Sequence, residues 1–206
     1  MSNESTFKQI IRYMNDFHRD VGQLIILVER LMAEKGYAPI PSAGNRAGWG
    51  LTSHYALPER WRLTNASRFY APDGEEIFDQ SLAYFINLAT DTRFPFPTML
   101  CAQIAHPLLA ERDVFTRVWK IEQLFSFGEK QSKWRAEREE RGWFIVEPIG
   151  ETPIQYLRGY LLNVFDLVDR QHVIDNIILP LTTFEANLDD LLTVQKYGLI
   201  HAEDGA

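Results

Sequence analysis

The sequence is short of the features that usually announce a function. It has one cysteine, Cys101, so no internal disulfide can form, and a lone thiol fits a reducing compartment. No run approaches the roughly 18 apolar residues that a spanning helix needs. The longest candidate, residues 24–28, is far too short. The opening MSNESTFKQ lacks the basic start and apolar core of a signal peptide. Basic residues are in the minority, 21 Lys and Arg against 28 Asp and Glu, for a net charge of −7. That balance argues against a broad surface for a phosphate backbone, which needs concentrated positive charge. These absences lead to the expectation of a soluble, cytoplasmic protein with no membrane attachment and no broad nucleic-acid partner. No internal repeat and no low-complexity tract is seen.

Catalytic signatures are missing as well. There is no HExxH, no pair of CxxC motifs, no calcium-loop pattern, no GxSxG, no P-loop and no dinucleotide motif. No cofactor is implied, and the residues name no ligand.

What the chain does have is a long apolar seam. Phe7, Ile10, Met14, Phe17, Val21, Leu24, Val28 and Leu31 alternate three and four residues apart, which is four unbroken heptads. Asn3 or Ser5 can cap such a helix, and Lys35 with Gly36 can stop it. It would be roughly 45 Å long at about 1.5 Å per residue. Ile11, Ile25 and Met32 widen the stripe on one side, Tyr13 and Leu27 on the other. Around residues 24–28 the helix is apolar all round and should be buried. Gly22 interrupts it at about 1 kcal/mol relative to alanine, a cost that close approach of another backbone would explain. The seam can pack on the protein's own core, pair with a second copy, or do both. The expected oligomer interface is Phe7, Ile10, Met14, Phe17, Val21 and Leu24.

The rest reads as an α+β body, residues 37–206, following a helical segment, 1–36, the two expected to form one domain. Residues 37–50 are dense in proline and glycine and predict an irregular connection. Strands are expected over 61–70, 81–88, 98–105 and 143–149, with a turn at Pro72, Asp73 and Gly74. Pro107 is expected to end the third strand. Asp113 can cap a helix to Phe125, and the mixed charges of 129–141 suggest a solvated helix. Thr152 and Pro153 are expected to open a helix with Ile154, Leu157, Leu161, Val164, Phe165 and Val168 apolar. Residues 171–181 read as either helix or strand, limited by Pro180, and a last helix is expected over 183–197. The fold class is therefore α+β: a long N-terminal helix and a small, mostly antiparallel sheet of about four strands flanked by helices.

Three constellations could carry chemistry. Cys101 and His106 are five apart on a strand, so they point to opposite faces and cannot pair locally. A buried structural thiol is the ordinary reading. Asp166, Asp169 and His172 recur every third residue and are the place to look for a metal, against the plainer reading of a wet helix face. Trp49, Tyr55, Trp61 and Tyr70 crowd one region, with Phe69 beside them, and could line a ligand pocket or fill the core. The leading expectation is a non-catalytic binding or regulatory protein acting as a homo-oligomer, a dimer. The alternatives are a metal-assisted hydrolase or nuclease using the Asp/His cluster, and a small-molecule sensor with the aromatic pocket.

Overall fold

A computed structural model describes residues 3–40, 65–88, 96–110, 134–138, 143–148 and 154–183. Helix α1 runs Asn3–Glu34 and β1 Tyr37–Pro39. Strands β2 Asn65–Pro72, β3 Ile77–Asn87 and β4 Thr98–Ala110 follow, then β5 Trp134–Arg138, β6 Phe144–Pro148 and β7 Tyr156–Asn163. A 3-10 turn, Val164–Asp166, leads to a second helix, α2, over residues 170–183. The α+β layout is as the sequence suggests, but the sheet is larger: seven strands in the order β1-β2-β3-β4-β7-β6-β5. Every neighbouring pair is antiparallel.

The seam of α1 is covered over its second half. Val21, Ile25, Val28, Leu31 and Met32 share one core with Tyr70, Leu82, Tyr84, Ile86, Met99, Cys101, Tyr160 and Leu162 of the sheet. Gly36 then takes φ 80°, and the N–H groups of Lys35 and Gly36 donate to Met32 and Ala33, each at 3.0 Å. This left-handed stop turns the chain into β1, at the sheet edge, where Pro39 removes no inner ladder bond. A strand there replaces part of the irregular connection expected from residue 37. Asp73 N–H donates to the Gly36 carbonyl at 2.8 Å, tying the helix end to the turn at Gly74, whose φ is 81°.

The alternation read in β3 holds, yet both faces are buried. Leu82, Tyr84 and Ile86 lie under α1, while Ser81, Ala83 and Phe85 are buried on the other side. The central β4 does not end at Pro107. It continues to Ala110, because three residues, His106 to Leu108, stand opposite Asp79 alone where the register shifts. Such a bulge accepts a proline that a regular ladder would reject.

Two predicted helices are strands. Residues 156–163 pair with β4 on one side and β6 on the other. Leu157, Leu161, Tyr160 and Leu162 are all buried, so no polar face betrays the period of two. Gly159 fits this setting: a Cβ there would lie 2.8 Å from the Cys101 carbonyl oxygen. Residues 134–138 form the edge strand β5, where charged residues suit a strand that must not template further pairing. The strand expected near an edge at Pro148 is β6, with Pro148 opposite Trp134.

Residues 171–181 are helical, and Pro180 lies inside α2 rather than at its limit. The helix is α over Arg170–Val173, π over Ile174–Ile178 and α over Leu179–Thr183. The Tyr160 hydroxyl donates to the Asn176 carbonyl at 2.8 Å, which is the acceptor four residues before the proline. The helix expected over 113–125 and, past Thr183, the one expected over 183–197 lie outside the described residues.

Candidate functional site

Helix α1 is covered unevenly along its length. Burial begins at Val21; before it, the described side chains are exposed or half-buried. Ile11 is 42% exposed, Tyr13 63% and Met14 39%. Of the expected interface residues, Val21 is buried, Phe17 and Leu24 are half-buried and Met14 is exposed; the side chains of Phe7 and Ile10 lie outside the described residues.

Beside this stretch runs a groove of about 540 Å³. Phe17, Leu24 and Leu27 of α1 form one wall, and Phe165, Val168 and Val173 the other. The second wall exists because Asn163 ends β7 and caps the 3-10 turn, its side chain accepting from Phe165 N–H at 3.0 Å. That turn holds Phe165 out, 57% exposed, with its ring 6.1 Å from that of Phe17, and leaves Val168 73% exposed. The rim is polar, with Asp20, Asp169 and Arg170. Arg170 lies 3.4 Å from Glu34, bridging α2 to the end of α1 on the surface.

Of the proposed metal residues, Asp169 lines the groove and Asp166 and His172 do not. Asp169 caps α2, accepting from His172 N–H at 2.8 Å, and that bond, with the nearby imidazole, holds its carboxyl below the usual range. His172 Nδ1 is 2.9 Å from the same carboxylate oxygen, without hydrogen-bond alignment. So the structure brings Asp169 and His172 together as a helix cap. Asp166 stands in the 3-10 turn and does not join them, and among the described residues no three His, Cys, Asp or Glu side chains gather as a metal set.

Of the aromatic cluster, Trp49, Tyr55 and Trp61 lie outside the described residues. Tyr70 is fully buried under α1 and Phe69 is buried on the other face against Phe85, rings 5.4 Å apart. Adjacent residues on a strand cannot line one pocket.

Two polar arrangements were invisible in the sequence. Register places Arg68, Tyr84, Cys101 and Tyr160 in one row across four strands. Arg68 Nε donates to Glu29 of α1 at 2.8 Å, so the row begins in an ion pair and ends at the α2 carbonyls. Tyr70 stands beside Tyr84, ring centroids 6.2 Å apart; neither hydroxyl meets an aligned partner, and burial pushes both phenols well above their ordinary range. Burial pushes the Cys101 thiol up to about 12, so it stays protonated and inert. The second arrangement is His106 with Ser81, Nε2 to Oγ 2.8 Å, both buried. Nδ1 lies 2.8 Å from the Pro107 carbonyl, which can only accept, so in the neutral ring Nδ1 carries the proton and Ser81 donates to Nε2. Cys101 and His106 thus sit on opposite faces, as their spacing requires. Only strand register, which the sequence does not display, could have found either group.

No described helix is long and apolar enough to cross a membrane. Comparison with known protein families, with curated proteins and with solved structures gave no match.

Proposed function

We propose that this chain is a non-catalytic binding or regulatory protein that works as a homo-oligomer, a dimer, joined through the first two-thirds of α1. One observation carries the reading: large apolar side chains remain in water on α1 and on the facing wall of the groove, next to the seam positions Val21, Val28 and Leu31 that are buried. Apolar area left open in this way is worth about 25 cal/mol per Å² when another surface covers it. A reducing, cytoplasmic setting suits the single buried thiol.

Light scattering at micromolar concentration tests it. The expected mass is twice the 23.9 kDa of the chain. A mass of one chain across the whole concentration range overturns the proposal.

A further inference from the structure

We draw no further inference here: the strongest candidate, the apolar groove between α1 and the segment 165–173, rests on an unpartnered face, and nothing in the structure shows what covers it.

Discussion

In an unbroken α-helix the carbonyl of Asn176 accepts from the N–H of residue 180, and proline has none. Tyr160, fixed in β7 between two strands, supplies a donor from outside the helix. Tyr160→Phe therefore leaves a part-buried carbonyl without this donor and is expected to cost about 1 kcal/mol in urea unfolding, with faster amide exchange across 174–178 as the local signature. His106 makes a second residue-scale prediction. Burial lowers its pKa below the ordinary value of about 6.5, so the folded state binds fewer protons than the unfolded state at mildly acid pH. The stability this represents is fully present above about pH 6.5 and is lost as pH falls toward the lowered value. Unfolding free energy measured from pH 7.5 to 5 is expected to fall, and His106→Gln is expected to flatten that part of the profile.

Two glycines separate helix from sheet at the scale of the element. Gly22 sits in α1 with nothing within 4 Å of where a Cβ would stand. Among the described residues no backbone approaches it, so Gly22→Ala is expected to raise stability by about 1 kcal/mol through helix propensity alone. Gly159 in β7 has no such room: the Cys101 carbonyl would be 2.8 Å away and Leu100 and Leu157 close behind. Gly159→Ala is expected to lower stability by about 1 to 3 kcal/mol, since backbone on the facing strand must move. Thermal melts of the two variants should shift in opposite directions.

The whole molecule is a sheet with one helix that is only partly its own. The second half of α1 belongs to the core; in the first half the described apolar side chains Ile11, Tyr13 and Met14 are exposed. If a second copy covers them, association stabilises the fold by mass action, and the melting temperature rises with protein concentration. Met14→Asp alters a side chain that is already 39% exposed, so it leaves the monomer's own packing alone. The expected outcome is a monomeric mass and a melting temperature that no longer depends on concentration.

Helix α1 was legible because its seam follows one period for eight positions and ends in Lys35 and Gly36. The antiparallel alternation of β3 and the turn at Gly74 were legible for the same reason: local spacing and local backbone freedom dictate them. β7 was not, because burial on both faces removes the polar residues that would mark a period of two. Nor was the course of the chain past Pro107 and Pro180. Each proline is tolerated only in its tertiary setting, Pro107 in a bulge of its own strand against β3 and Pro180 beside the carbonyl that the Tyr160 hydroxyl serves. The polar row from Arg68 to Tyr160 and the Ser81–His106 pair depend on strand register, a long-range quantity set by how the sheet closes. Local pattern thus determined the α+β class and the seam, whereas the sheet's order, and which stretch of that seam stays uncovered, came only from tertiary packing.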